Sequence, residues 1–290
     1  MKKFAASELI LNPDGSIYHL NLRPEQISDT IIFVGDQNRV PKVAQHFDTI
    51  DTDVQKREFR TITGILKGKR LTVISTGIGP DNIDIVINEL DALVNIDLES
   101  RTLKTTFKQL DIIRIGTSGS LQSDIPVDSF VMSKFGLGLD GLLHSYVGES
   151  IFEKEIENAF ISHTNWHKNK ARPYIIKGSE TLAKKLEGPE VIEGFTATAP
   201  GFYGPQGRIL RLAIQDPDLN NKIGDFNFNG LKITNLEMET SAIYGLSKLL
   251  GHKAISMNAI IANRTNGTFS KDPYKTVETL IKYTLDKLVD

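Results

Sequence analysis

Short apolar runs alternate with helix-period stripes along most of the chain, and this alternation constrains the fold more than any other feature. The strand-like runs are Ile31–Val34, Leu71–Ser75, Ile112–Ile115, Ser129–Ser133, Tyr174–Ile176, Val191–Ala197 and Ala254–Ile261. Between two of them, residues 80–95 place Ile83, Val86, Ile87, Leu90 and Val94 on one face at spacings of three and four. Pro80 behind Gly79 suits a first helical turn, Ser179 caps a helix over Glu180–Leu186, and Gly251 stops one over Glu239–Leu250. A last stripe through Val277, Leu280, Ile281, Leu285 and Leu288 predicts a helix over Tyr274–Leu288. Gly68-Lys69-Arg70, between two strand patterns, reads as a hairpin turn. The expectation is an α/β fold of three layers, α/β/α, with a mixed central sheet flanked by helices. Segments 1–29, 137–150 and 199–229 are the least patterned, and they suit site-forming loops better than linkers. With no repeat or low-complexity tract, residues 1–290 read as one domain.

Composition removes whole classes of chemistry. Lys and Arg total 34 against 36 Asp and Glu, a net charge of −2, so no general basic field is available for nucleic acid. Cysteine is absent, which excludes disulfides, zinc–thiolate sites, iron–sulfur clusters and thiol nucleophiles. Met1-Lys2-Lys3 opens like a signal peptide, but Glu8, Asn12, Asp14 and Ser16 interrupt any apolar stretch after it. No run approaches the ~20 apolar residues of a spanning helix. A soluble cytoplasmic protein without nucleic-acid or membrane partners is expected.

Several motifs have a plain reading. Gly77-Ile78-Gly79-Pro80-Asp81-Asn82 lacks the third glycine of a dinucleotide loop, and no Walker sequence is present. His163 and His167 read as a solvated helix end, and His252 as a turn residue. Arginine beside glycine at strand ends is more informative, in Gly35-Asp36-Gln37-Asn38-Arg39 and in Arg114-Ile115-Gly116-Thr117-Ser118-Gly119, which is read as closing the strand Ile112–Ile115. Small residues expose backbone N–H groups and guanidinium offers a planar fork, so the two segments suit one small anion as well as they suit ordinary surface ion pairs. Phe202-Tyr203-Gly204-Pro205-Gln206-Gly207-Arg208 offers an aromatic face, an amide and a guanidinium, a set that fits a planar heterocycle. The carboxylates of Glu237 and Glu239 suit sugar hydroxyls, or simply an acidic helix start.

Taken together and in order, these segments resemble the nucleoside phosphorylase superfamily, and within it the uridine phosphorylase branch. The resemblance runs from about His19 to the end. It also includes Arg57-Glu58-Phe59, Ser75-Thr76-Gly77-Ile78-Gly79, Leu139-Asp140-Gly141 with His144, and Asn263-Arg264-Thr265. It implies that Gly35, Arg39, Arg114 and Thr117 hold phosphate, with Arg57 supplied by a neighbouring subunit. His19 would reach a neighbour's ribose 5′-hydroxyl, while Met238 and Glu239 hold the ribose. Phe202 would pack on the base, and Gln206 and Arg208 would read the uracil edge, the amide both accepting and donating. Arg208, Gln206 and Glu239 form the implied catalytic set. Purine enzymes of the superfamily carry an acid near Asn263-Arg264, and none stands here.

The implied reaction is reversible phosphorolysis of uridine, with deoxyuridine and thymidine as further candidates, to uracil and a pentose 1-phosphate. Phosphate is a co-substrate and no organic cofactor is needed. A dimer or a hexamer with shared sites is implied. Asn82 stands where some bacterial relatives place a serine that, with Glu58 and the backbone of Ile78, holds potassium between subunits, so that ion is left open. Gln37 replaces a proline common in the first phosphate loop. Segments 97–110 and 144–172 receive no role. The competing readings are a purine phosphorylase or nucleosidase of the same fold, and a non-catalytic nucleoside-binding protein.

Overall fold

The computed structural model describes residues 3–290. Eleven strands form one sheet: β1 (Thr30–Val34), β2 (Thr49–Lys56), β3 (Phe59–Leu66), β4 (Lys69–Ser75), β5 (Asp111–Ser120), β6 (Phe130–Gly138), β7 (Tyr174–Lys177), β8 (Val191–Thr198), β9 (Asn235–Glu237), β10 (Lys253–Asn263) and β11 (Thr268–Phe269). Its helices are α1 (Val40–Ala44), α2 (Pro80–Asn95), α3 (Lys154–Thr164), α4 (Glu180–Leu186), α5 (Leu219–Gly224), α6 (Thr240–Leu249) and α7 (Pro273–Val289). The expected mixed α/β architecture is present. β1 pairs in parallel with β4 and β5, whereas β2, β3 and β4 form an antiparallel meander. The hairpin turn expected at Gly68-Lys69-Arg70 is present one position earlier, through Lys67 and Gly68, because Lys69 and Arg70 already pair with Leu66 and Ile65 of β3.

One feature departs from a simple layered sheet. β10 pairs in parallel with β5 and antiparallel with β6, while β9 joins β8 to β5. With the parallel β6–β8 pairing, five strands close on themselves. Closure removes free edges and brings the ends of β5, β9 and β10 together.

Two expected boundaries shift for the same reason. The strand containing Arg114 does not end at Ile115, because β10 pairs with it as far as Ser120, so Gly116–Gly119 are strand rather than turn. β6 likewise continues past Ser133 to Gly138 along β8 and β7. α2 and α4 have the predicted bounds, and α6 begins at Thr240 with Glu239 as its N-cap. The buried stripe of α2 includes Ile83, Val86, Ile87 and Leu90, and the helix packs against α6. Each such side chain contributes about 1.5–3 kcal/mol on burial. His252 follows Gly251 as read but is buried, its Nδ1 accepting the Leu110 N–H at 3.2 Å. His163 is exposed at the end of α3, as expected.

Candidate active site

Beyond β1 the chain turns at Gly35. The Asp36 carboxylate caps the next turn by accepting the Asn38 N–H at 2.9 Å. That turn sends Arg39 back across the sheet, where Nη1 donates to the Ile115 carbonyl at 3.3 Å. Arg114, on β5, lies in register between Phe33 of β1 and Ser256 of β10. Its guanidinium folds over Gly116, two residues along on the same face of the strand. A Cβ at Gly116 would sit 1.9 Å from Arg114 Nη1, so the glycine is there to make room for the charge rather than to make a turn.

Arg114 is buried, and both of its terminal nitrogens already have partners. Nη2 donates to Glu239 Oε2 at 2.6 Å and lies 3.0 Å from Glu237 Oε2, and Nη1 donates to Asn258 Oδ1 at 2.8 Å. Burial opposes its charge, but the two carboxylates outweigh burial and hold the guanidinium above its ordinary range. Arg39 moves the other way, lowered by burial and then by the nearby Arg114. Burial pushes the Glu239 carboxyl up, with Arg114 opposing and Glu237 reinforcing the rise.

The two acids do different work. Glu237 accepts the N–H groups of Glu239 and Thr240 at 3.0 Å each through Oε2, and the Thr198 hydroxyl at 2.8 Å through Oε1. It is a fastener for the start of α6 and is not free for a sugar. Glu239 faces the cavity, and its Oε1 accepts the Gly79 N–H at 2.9 Å at the start of α2.

At the other end, Gln206 closes a single turn, Gly204–Gln206, and is 3% exposed. Its Oε1 accepts from Arg208 Nη1 at 2.7 Å and from Arg264 Nη2 at 2.6 Å. Arg264 Nη1 also donates to the Gln206 main-chain carbonyl at 2.5 Å. Both lone pairs of the amide oxygen are therefore spent, and the amide presents N–H only. This corrects the expectation that Gln206 both accepts and donates. Burial and then Arg208 push Arg264 down to about 10. The Arg208 guanidinium lies 3.8 Å from the Phe202 ring centroid, so the ring expected to carry a base already carries a cation on one face.

These groups line one cavity of about 660 Å³. Gly35, Arg39, Arg114 and Thr117 meet Met238 and Glu239, and beyond them Phe202, Gln206 and Arg208. A larger cavity of about 820 Å³ shares only Arg208 with it and contains none of the phosphate candidates. Two predicted residues lie outside. Arg57 is exposed at the turn between β2 and β3 in a left-handed conformation (φ 54°), next to Glu58, which does line the cavity. His19 is held by Glu89 of α2, its Nδ1 2.6 Å from Oε1. Segments 97–110 and 144–172 contribute nothing to this cavity.

Arg264 and Glu237 are the residues whose work the sequence did not disclose. The first lay in a matched motif without a role, and the second was read with Glu239 either as a sugar ligand or as an acidic helix start, the latter being what its bonds to the start of α6 show. The three groups named for potassium, Glu58, Ile78 and Asn82, line the same cavity. Asn82 Nδ2 donates to the Ile78 carbonyl at 3.2 Å, taking one of that oxygen's two lone pairs. The amide also packs against Gly77, where a Cβ would meet it at 2.4 Å.

The family profile of the phosphorylase superfamily matches residues 29–289, and the chain belongs to that superfamily. It is 29% identical over 280 residues to a uridine phosphorylase of Thermococcus kodakarensis, covering 93% of this chain and 86% of the relative. A purine nucleoside phosphorylase of the DeoD type from Shewanella frigidimarina is 24% identical, over 92% of this chain and 96% of the relative. A solved nucleoside phosphorylase of Trypanosoma brucei, described as showing uridine phosphorylase activity, superposes with a TM-score of 0.85. It is 30% identical, covering 97% of this chain and 99% of its own. No helix among the described residues is long and apolar enough to cross a membrane.

Proposed function

We propose that the chain, as one domain over residues 1–290, is a pentosyltransferase that cleaves uridine reversibly with phosphate to uracil and ribose 1-phosphate. The observation that carries the reading is the set of groups lining one cavity: Gly35, Arg39 and Arg114, the Glu239 carboxylate, and the Gln206 amide with Arg208. That set suits an anion, a polyol and a heterocycle held together.

Phosphate is already an anion at neutral pH and needs no base. Arg39, Arg114 and the N–H groups at Gly35 and Thr117 position it beneath C1′, and its charge offsets the oxocarbenium character that develops there. Glu239 accepts from the ribose hydroxyls, with Met238 packing on the sugar. As the C1′–N1 bond breaks, negative charge spreads onto the uracil oxygens. Gln206 offers them N–H and Arg208 offers a guanidinium, donors that strengthen as charge accumulates. A preorganised donor of this kind lowers a barrier by ~3 kcal/mol. Arg57 and His19 complete the site from a neighbouring copy in a dimer or a hexamer, a reading supported by Glu58 lining the cavity while Arg57 is exposed.

The purine alternative is less well supported, because Asn263-Arg264 places a cation and no acid beside the base end. The test is a spectrophotometric panel of uridine, thymidine, cytidine and inosine with and without phosphate. Uridine loss that requires phosphate and yields ribose 1-phosphate is expected. Phosphate-independent loss, or preference for inosine, would overturn the assignment.

A further inference from the structure

We propose that Glu89 is a positioning residue for the ribose 5′-hydroxyl, acting by fixing the tautomer and direction of His19; this rests on the reading of His19 given above. Glu89 lies on the α2 helix, 70 residues from His19 in sequence, with its side chain only 13% exposed. Its carboxylate makes a fourfold contact with one short segment. The His19 N–H donates to both oxygens at 3.0 Å each, the Leu20 N–H donates to Oε2 at 2.9 Å, and His19 Nδ1 lies 2.6 Å from Oε1.

An ionised carboxylate can only accept, so the hydrogen at that ring contact belongs to Nδ1. The neutral ring then carries a lone pair on Nε2, which is an acceptor for a hydroxyl. Because the same carboxylate also holds the main chain of His19 and Leu20, ring and backbone cannot turn independently. The His19 side chain keeps 28% of its surface exposed, so it is available beyond its own chain. A plain structural tie would need only the backbone bonds. The ring contact is the additional element, and it defines a donor–acceptor polarity that a 5′-hydroxyl would meet.

The discriminating probe is 5′-deoxyuridine, which lacks the hydroxyl and is otherwise uridine. For His19→Ala and Glu89→Gln, kcat/KM is measured with both substrates and expressed as their ratio, which cancels any loss of folded enzyme. In Glu89→Gln the amide can donate to Nδ1 and move the ring proton to Nε2. The uridine to 5′-deoxyuridine ratio is expected to fall about tenfold in both variants. Histidine ¹⁵N spectra should show Nδ1–H in the native protein and a shift toward Nε2–H in Glu89→Gln. If His19→Ala lowers the ratio and Glu89→Gln leaves it unchanged, the role given to Glu89 is wrong while that of His19 stands. If His19→Ala leaves the ratio unchanged, the reading of His19 fails and the proposal with it.

Discussion

Gly116→Ala tests the architecture of the anion end without altering any charged group. The added methyl would sit 1.9 Å from Arg114 Nη1 and 2.3 Å from its Cζ, so the guanidinium must leave its place. Leaving breaks the 2.6 Å bond to Glu239, the 3.0 Å contact with Glu237 and the 2.8 Å bond to Asn258, all buried. Disrupting a buried pair and stranding its partner costs about 3–5 kcal/mol. At ~2.1 cal/mol/K of unfolding entropy per residue, a chain of 290 residues loses about 5–8 °C in Tm. Calorimetry measures the stability, and steady-state rates against phosphate concentration measure the function, where kcat/KM for phosphate should fall by at least tenfold. In an Arg114→Met background the same glycine change should cost much less, because the charge it displaces is gone. A Tm within 1 °C of native with unchanged phosphate kinetics would refute the argument.

Other expectations follow from neighbouring contacts. Arg39→Ala, Arg57→Ala and Arg114→Ala should each raise KM for phosphate or lower kcat, and Lys should rescue only in part because an ammonium lacks the planar fork; titrating phosphate at fixed uridine measures this. Cytidine should be turned over at least ~10⁴-fold less efficiently than uridine, since its amino group would face N–H donors, and competing the two substrates gives the ratio. Arg264→Met should release Gln206 Oε1 from one of its two donors and lower kcat/KM for uridine by about tenfold with little change in KM for phosphate. Because the Asn82 amide already takes one lone pair of the Ile78 carbonyl, Tm should shift little between potassium and choline chloride, whereas Asn82→Ser should gain a potassium-dependent rise.

The sequence disclosed what is local. Pro80 behind Gly79 and Ser179 before Glu180 mark helix starts through their own backbone chemistry, and α2 and α4 begin where those residues stand. It misled where a local sign had a distant cause. Gly116 reads as a turn, but its missing side chain serves Arg114 within a strand that β10 extends from the other end of the chain. Closure of the sheet by β10 was invisible for the same reason, since nothing in its apolar run says that it pairs on both sides. Glu237 and Glu239 are near-identical in sequence terms, and only the fold decides that one fastens α6 while the other reaches across to the Gly79 N–H at the start of α2. Family resemblance reached further, bringing Gly35, Arg39, Arg114, Thr117, Phe202, Gln206, Arg208, Met238 and Glu239 to one cavity. It did not reach Arg264 or Glu89, whose work is defined by bonds across 58 and 70 residues.

The clamp on Gln206 bears on how easily such a pocket changes its substrate. A change from uracil to cytosine asks for an acceptor where the amide now offers N–H. Replacing Gln206 with Glu supplies acceptors, but between Arg208 and Arg264 the new carboxylate would be neutralised before any base arrived. Removing Arg264 first frees the amide to turn, yet it also unfastens the main chain at Gln206. Neither single step yields a working reader of cytosine, so the intermediates on both routes are poor enzymes for either base. On the proposed reading of this pocket, laboratory selection for cytidine cleavage should recover changes at 206, 208 and 264 together or not at all.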